Sequence, residues 1–534
     1  MNKPPVIWSI AGTDSGGGAG LAADQRAADA FGVHLCPVVA AVTAQSSTAV
    51  TRIDAVAPSL LDAQLAALAA DMPPTAIKTG LLGSAENAWV VARWIDRLRQ
   101  LGPVALVIDP VLRASTGAAF ADVELLRAYR EALLPRATVI TPNQSEALAL
   151  LGNPSTNNVP ALARALQASG PEAVVVTGGD ATTPEVSIDW LQTPLACGWL
   201  SLPRVPTVHH HGTGCTFASA LASALAMGWV SAEAAVLAKM ATTHALRHAR
   251  AVGSGAGPVI ARDGFGTDPN LLPLLGLDEE MPRHAPSPNP VRAPGVYAIV
   301  DSAERLEAVL QAQPTVDTIQ LRMKRPADLS DGRWQAQLGE AIARGQRAAD
   351  AAGVLLVIND HWQTALGAGA KALHLGQEDL LALTPADRQQ LQAARGRGVQ
   401  LGLSSHSLWE LCRAAALQPD LIACGPVWPT STKDMPWRPQ GLHNLAWWAH
   451  MAPAPVVGIG GILESAQLQA VAAAGAAGGC VVRGLGDRPA QTLPAWRAAW
   501  QAGLSNRNDT RPPALPHPTL PSPHLAAALS RSDP

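Results

Sequence analysis

Thr318-Ile319-Gln320-Leu321-Arg322-Met323-Lys324 is a short apolar strand that ends in cations. The same form recurs on both sides of it. Strands are expected at Val296–Asp301, Thr318–Met323, Val354–Asn359, Ala372–Leu375, Val399–Ser404, Leu421–Cys424, Val456–Ile459 and Cys480–Arg483, each followed by a helical stretch. Eight strand–helix units of this size predict a (β/α)8 TIM barrel. Such a barrel carries its chemistry where the strands end. The polar residues obey that demand. Asp301 closes the first strand. Gln320, Arg322 and Lys324 close the second, and Asn359 and Asp360 the third. His374, Gln377, Glu378 and Asp379 follow the fourth, with Ser404 and His406 at the fifth. Thr430, Thr432 and Lys433 lie in the loop after the sixth, Gly458, Gly460 and Gly461 follow the seventh, and Arg483 and Gly484 close the eighth.

The residue types suggest what such a ring would bind. Arg322, Lys324 and Lys433 can neutralise a pyrophosphate. Asp360 and Asp379 are hard oxygen donors suited to Mg2+. The glycines after the last two strands let backbone N–H groups approach a second phosphate.

The first half has its own rhythm. Val6–Ala11, Val38–Val42, Ala76–Lys78, Val104–Asp109, Thr138–Thr141 and Ala173–Thr177 are expected as strands, with helices over Ala19–Phe31, Leu60–Ala70, Ala85–Leu101, Asn143–Leu151, Val159–Ala168, Thr213–Met227 and Ala232–Ala251. Buried strands joined by helices imply a mostly parallel sheet covered on both faces. Gly16-Gly17-Gly18 follows a strand and opens a helix, which fits either a nucleotide loop or a tight turn. Gly212-Thr213-Gly214-Cys215 also opens a helix. Glycines there expose N–H groups to an anion, and the helix dipole favours developing phosphoryl charge. The same position lowers a cysteine's pKa, which makes Cys215 a candidate base or polarising group. Asp24 and Gln45 can satisfy the donors and acceptors of an aminopyrimidine.

A chain of 534 residues is too long for one core, and 48% hydrophobic with 15% charged residues is ordinary α/β composition. The net charge of −3 gives no bulk attraction to nucleic acid. Six scattered cysteines form no Cys-x-x-Cys pair and suit a reducing cytoplasm. Met1-Asn2-Lys3-Pro4-Pro5 has no signal-peptide pattern. No apolar run approaches the roughly 20 residues that span a bilayer. The boundaries expected are a first domain over 1–276, a Pro-rich linker over 277–294, a second domain over 295–505 and a disordered tail over 506–534.

Taken as an ordered set, QLRMK (320–324), IND (358–360), HLGQEDL (374–380), GLSSHS (402–407), GPVWPTSTK (425–433), VGIGGI (457–462) and VVRGL (481–485) resemble thiamine-phosphate synthase. The resemblance implies coupling of a pyrimidinylmethyl diphosphate with a thiazole phosphate, pyrophosphate leaving first. It implies that Gln320, Arg322, Lys324, Asn359 and Lys433 hold the diphosphate, Asp360 and Asp379 hold Mg2+, and Ser404 orients the pyrimidine. It gives the thiazole phosphate to Thr430, Thr432, Gly460, Gly461, Arg483 and Gly484.

The first half resembles the hydroxymethylpyrimidine/phosphomethylpyrimidine kinases, of ribokinase-like fold, through SIAGTDSGGGAGLAADQRA (9–27), VTAQ (42–45), IKTGLLGS (77–84), VIDPV (107–111), TPNQSEA (141–147) and HHGTGCTFASALA (210–222). That resemblance implies ATP-dependent phosphorylation of hydroxymethylpyrimidine and then of its monophosphate. Asp24, Gln45, Gly12 and Leu81 map to the pyrimidine pocket. Asp109, Asn143, Glu146 and Thr177 map near Mg-ATP, and Gly212, Gly214 and Cys215 to the anion hole. Thr177 stands where the family has a lysine, and a hydroxyl cannot supply that charge. Two alternatives therefore stay open: a first half that is impaired or regulatory, leaving only the synthase active, and a kinase for a vitamin B6 substrate.

The expected partners are small molecules, with no nucleic acid, no membrane and a homo-oligomeric assembly. His209-His210-His211 point in different directions along an extended segment, so a shared metal is not expected there. His244 and His248 lack the Glu of a His-Glu-x-x-His site.

Overall fold

The structure is a computed structural model that describes residues 3–112, 122–179, 185–284, 293–430, 436–507 and 512–525. Its contacts divide the chain into two units, Met1–His284 with Leu520–Pro534, and Ala285–Thr519. Residues 285–292 of the Pro-rich stretch lie outside the described residues.

Ten strands form the sheet of the first unit: β1 (Val6–Asp14), β2 (His34–Gln45), β3 (Val50–Ala55), β4 (Ala76–Thr79), β5 (Ala105–Ile108), β6 (Val139–Ile140), β7 (Ala173–Thr177), β8 (Val186–Gln192), β9 (Cys197–Pro203) and β10 (Leu274–Leu275). Their order is β10-β9-β8-β7-β6-β5-β4-β1-β2-β3. The middle six, β2, β1, β4, β5, β6 and β7, pair in parallel. These are the six strands expected from the sequence. β1 shows why they were legible: Ile7, Trp8 and Ile10 are fully buried, as in a strand covered on both faces. The edges, β3 on one side and β8, β9 and β10 on the other, pair antiparallel. They were not expected, because exposed and buried positions mix along them and no helix separates them.

The second unit is the expected barrel. Gly295–Val300 (β11), Thr318–Leu321 (β12), Leu355–Asn359 (β13), Ala372–Leu375 (β14), Gln400–Ser405 (β15), Leu421–Cys424 (β16), Val456–Gly458 (β17) and Gly478–Val481 (β18) close in sequence order. All eight pairings are parallel, β18 returning to β11. Tyr297, Ile299, Val357, Ala423, Val457 and Cys480 cluster as one buried group contributed by these strands.

The expected disordered tail needs correction over 512–519, which packs against the second unit. His517 donates its N–H to Asn444 Oδ1 at 2.8 Å, and Arg438 N–H donates to the Thr519 carbonyl at 2.8 Å. Thr519 is fully buried. The prolines that suggested disorder suit an extended segment whose polar groups are met by side chains.

Candidate active sites

In the first unit, β1 ends at Asp14 and the glycine-rich segment wraps around its carboxylate. Oδ1 accepts from Gly16 N–H at 2.8 Å, and Oδ2 from Gly18 and Ala19 N–H at 3.0 and 2.8 Å. His211 Nε2 stands 2.9 Å from the same Oδ2 and 3.3 Å from Gln45 Nε2. Burial acts to raise the Asp14 pKa, but hydrogen bonds from His211, Ala19 and Gly16 outweigh it and hold the carboxyl below its usual range. The glycines thus form a tight βα turn around a carboxylate. A side chain at Gly18 would strike the His211 ring at 2.2 Å, so the two glycine-rich segments fit only because position 18 is bare.

Gly212 caps the helix Thr213–Ala226 in the left-handed region, at φ 85°. A Cβ there would lie 2.3 Å from the Gly18 carbonyl oxygen. The first-turn N–H groups of this helix have no intrahelical acceptor, and Gly214 is exposed beside them. Asp109, just past β5, reaches within 4.0 Å of a Cβ built on Gly214. Gly12 and Leu81 are brought together: a Cβ on Gly12 would sit 3.0 Å from Leu81 Cδ2.

Two expectations fail here. Asp24 does not line a pocket: it is fully buried. Its Oδ1 meets Lys78 Nζ at 3.0 Å and the Ser219 hydroxyl at 2.8 Å, while Oδ2 meets Lys78 at 3.1 Å and the Ser9 hydroxyl at 2.6 Å. Helix spacing put Asp24 on the correct face, but a buried lysine claims it. Nor is the Cys215 pKa lowered. Burial, with Asp109 and Asp24 nearby, pushes the thiol up to about 12 against the pull of Lys78. Desolvation outweighs the helix terminus.

Asn143 and Glu146 form a capping box on the helix Gln144–Leu150. Glu146 N–H donates to Asn143 Oδ1 and Asn143 N–H to Glu146 Oε2, both at 2.9 Å. Asn143 also bridges Thr177. Three of the four residues mapped near ATP, Asn143, Glu146 and Thr177, are thus neighbours, with the geometry of the first two set by the cap.

In the barrel, Gln320 and Asn359 meet each other. Tyr297 donates its hydroxyl to Gln320 Oε1 at 2.8 Å, and Gln320 Nε2 donates to Asn359 Oδ1 at 2.6 Å. Both amides are nearly buried, so this chain fixes their orientation. Asp360 follows at φ 62°, a left-handed conformation that a non-glycine residue adopts at a cost. Burial and the neighbouring Asp379 carboxyl push Asp360 up to about 6, opposed by Arg322. Asp379 Oδ2 accepts from Gly376 N–H at 2.8 Å, which aims it. Two adjacent carboxylates of like charge, with hard oxygen donors, fit a divalent cation. Among the described residues no group of three or more His, Cys, Asp or Glu is placed to hold one, so water and phosphate would complete the shell.

His374 was assigned no role from the sequence. Its Nε2 lies 3.0 Å from Ser404 Oγ, and burial pushes its pKa down to about 4, so the ring is neutral. Gln377 donates to the Ser404 carbonyl at 2.7 Å and accepts from Arg413 at 2.9 Å. Tyr297 and His374 went unassigned because one aromatic in a strand has the same pattern whether it packs or orients an amide.

Lys324 is exposed and Arg322 half-buried. Gly460 and Gly461 have φ 94° and 72°. A Cβ on either would strike the loop at Pro426 or Trp428, at 2.7 and 2.5 Å. Gly484 packs under Trp496, whose Nε1 donates to its carbonyl at 3.2 Å. Arg483 opens the short 3-10 turn Arg483–Leu485, and Thr430 is half-buried. Thr432 and Lys433 lie outside the described residues.

Fold and site together define an enzyme of two units, one with the helix-start anion cradle of a phosphotransferase and one with a barrel-rim cluster of carboxylates and cations. Comparison with known proteins agrees. The family model described as phosphomethylpyrimidine kinase matches residues 14–260, and that described as thiamine monophosphate synthase matches 296–485. The thiamine biosynthetic bifunctional enzyme TH1 of Arabidopsis thaliana is 33% identical, over 86% of each chain. A probable bifunctional counterpart in Oryza sativa subsp. japonica is 32% identical over 91% of this chain and 86% of its own. The hydroxymethylpyrimidine/phosphomethylpyrimidine kinase of Synechococcus elongatus is 42% identical over 48% of this chain and 96% of its own. The chain belongs to the family of bifunctional thiamine-biosynthetic enzymes, a kinase followed by a thiamine-phosphate synthase. Nothing in these comparisons favours a first half reduced to a regulatory role.

Proposed function

We propose that the first unit carries out ATP-dependent phosphorylation at the Gly212–Cys215 turn. The hydroxyl oxygen of hydroxymethylpyrimidine forms a bond to the γ-phosphorus of ATP. The bond from that phosphorus to the β–γ bridging oxygen breaks, and ADP leaves. The hydroxyl proton passes to Asp109, which the sequence set near Mg-ATP but which stands beside the helix start, 4.0 Å from a Cβ built on Gly214, and which takes the acceptor role expected of Cys215. That carboxyl is raised above its ordinary pKa, mainly by burial, which makes it a stronger base than a free aspartate. Cys215, a neutral thiol hydrogen-bonded to Asp109, orients it, and the first-turn N–H groups of Gly214 and Cys215 stabilise the transferring charge. Gln45, Gly12 and Leu81 hold the ring. Asn143, Glu146 and Thr177 lie on the ATP side. In a second round a phosphate oxygen of the monophosphate attacks in the same way, and the diphosphate results.

The barrel then couples the diphosphate to a thiazole phosphate. Gln320 and Asn359, held by Tyr297, position the diphosphate substrate, and Arg322, Lys324 and Lys433 neutralise it. Asp360 and Asp379 would hold Mg2+, which supplies charge for the departing pyrophosphate. Ser404, oriented by neutral His374, faces the pyrimidine. Thr430, Thr432, Gly460, Gly461, Arg483 and Gly484 receive the thiazole phosphate.

The observation that carries this reading is the Asp360–Asp379 pair beside Arg322 at the strand ends, in the same chain as the Gly212 anion cradle. Purified protein given hydroxymethylpyrimidine, thiazole phosphate, ATP and Mg2+ forms thiamine phosphate. No product with any intermediate supplied would overturn the reading. The proposal includes a cytoplasmic location, supported by six free cysteines, and a homo-oligomer, which light scattering would read. Among the described residues no helix is long and apolar enough to cross a membrane.

A further inference from the structure

Three charged side chains of the first unit are distant in sequence and nearly or wholly closed to solvent. Lys78 and Asp24 are fully buried and Asp109 is 5% exposed. They come from β4, from the helix Gly20–Phe31 and from the end of β5. The Lys78 ammonium serves both carboxylates unequally. It lies 3.0 and 3.1 Å from the two oxygens of Asp24 but 3.5 Å from Asp109 Oδ2. Asp24 holds it with help from Ser9 and Ser219. Asp109 Oδ2, by contrast, is buried with no partner in good hydrogen-bond geometry. Buried charge is costly unless paired, so one cation between two carboxylates is an arrangement in which each anion affects the other.

We propose that Lys78 is a positioning residue for phosphoryl transfer, anchored by Asp24 so that it stays beside Asp109 as a fixed cation while Asp109 gains and loses a proton. This rests on the reading of Asp109 as proton acceptor. The anchor has a purpose that a simple ion pair lacks. Were Lys78 paired with Asp109 alone, the contact would tighten on the ionised carboxylate and lower its basicity. Two contacts to Asp24, itself fixed by the Ser9 and Ser219 hydroxyls, hold the ammonium back at 3.5 Å from Asp109. The charge then keeps Asp109 ionised in a dry site without suppressing its ability to accept a proton. The groups that face Asp109 are Lys78 from β4, Asp24 from the first helix, Cys215 from the helix Thr213–Ala226, and the Tyr129 phenol, whose own ionisation is suppressed by burial and by Asp109. Lys78 is the one cation among them, and burial against it is outweighed by the carboxylates of Asp24 and Asp109, which keep it charged.

The test is the acid limb of the single-turnover kinase rate against pH, measured on the full chain. That limb follows ionisation of the acceptor. Lys78→Met removes the cation and moves the limb up by about one pH unit. Asp24→Asn keeps the side-chain shape but removes the competing anion and frees Lys78 toward Asp109. It moves the limb down by a similar amount and lowers the plateau rate. Opposite displacements are not produced by a merely structural role. If Lys78→Met does not fold, the direction in Asp24→Asn decides alone. Limbs that stay in place, or move together, overturn the inference. Asp109→Asn separates this from the reading beneath it. Retention of full rate there rejects Asp109 as acceptor, while loss of rate with unmoved limbs in the other variants rejects only the role of Lys78.

Discussion

Lys78 and Asp24 form an ion pair with no solvent exposure on either side chain, Nζ standing 3.0 Å from Oδ1. It joins β4 to the first helix in the centre of the unit. Removing one partner leaves an uncompensated buried charge. Lys78→Met is expected to destabilise the first unit by about 3–5 kcal/mol, and the double variant Lys78→Met/Asp24→Leu by much less. Urea unfolding of the three proteins measures this. Equal loss in single and double variants would contradict the pairing.

Cys215 is expected to be unreactive. With its thiol pushed up to about 12, on the order of one molecule in ten thousand carries a thiolate at pH 8. Iodoacetamide at that pH should label exposed Cys197 well before Cys215, as peptide mass spectrometry would show. Rapid labelling of Cys215 would return it to the role of base.

Proton and metal compete at Asp360. Its carboxyl, raised to about 6, is mostly protonated at pH 5 and mostly ionised at pH 7. The Mg2+ concentration for half-maximal synthase activity should therefore rise as pH falls below about 6, approaching tenfold per unit. Asp360→Asn should remove that slope along with most of the activity.

Neutral His374 makes the barrel acid-sensitive. Its folded pKa of about 4 is below the ordinary histidine value of 6.5, so the unfolded chain binds the extra proton between them. The stability is fully present above pH 6.5 and is lost as pH falls toward 4, by roughly 3 kcal/mol at most. Chemical unfolding of the barrel at pH 7 and pH 4.5 should show the loss, and His374→Gln should flatten it. The same variant, by releasing Ser404, should raise the KM for the pyrimidine substrate.

Gly212→Ala should abolish kinase activity while leaving the synthase reaction intact. A Cβ would meet the Gly18 carbonyl at 2.3 Å in a backbone conformation that suits glycine. Separate assays of each reaction decide it.

Much of the architecture was legible because its signals are local. Central strands are continuous apolar runs, and barrel strands end in polar residues at regular intervals. The antiparallel edges β3, β8, β9 and β10 were not, since their half-exposed positions obey no single period. Among the candidate site residues, the neighbours Gln320 and Asn359, and Asp360 and Asp379, were singled out by residue type and strand position. Tyr297 and His374 were not, because a side chain that orients another is identified only by what it touches.

Residue type and order determined by themselves that this chain holds a mostly parallel α/β unit and an eightfold barrel, each with a candidate anion site. Backbone periodicity and glycine placement act over a few residues and can be read along the chain. Tertiary structure alone decided the ionisation of the site groups. Asp24 became half of a buried ion pair, Cys215 a neutral thiol and His374 a neutral ring. Each outcome depends on loss of water and on charges brought from distant positions, and neither is written in the local sequence.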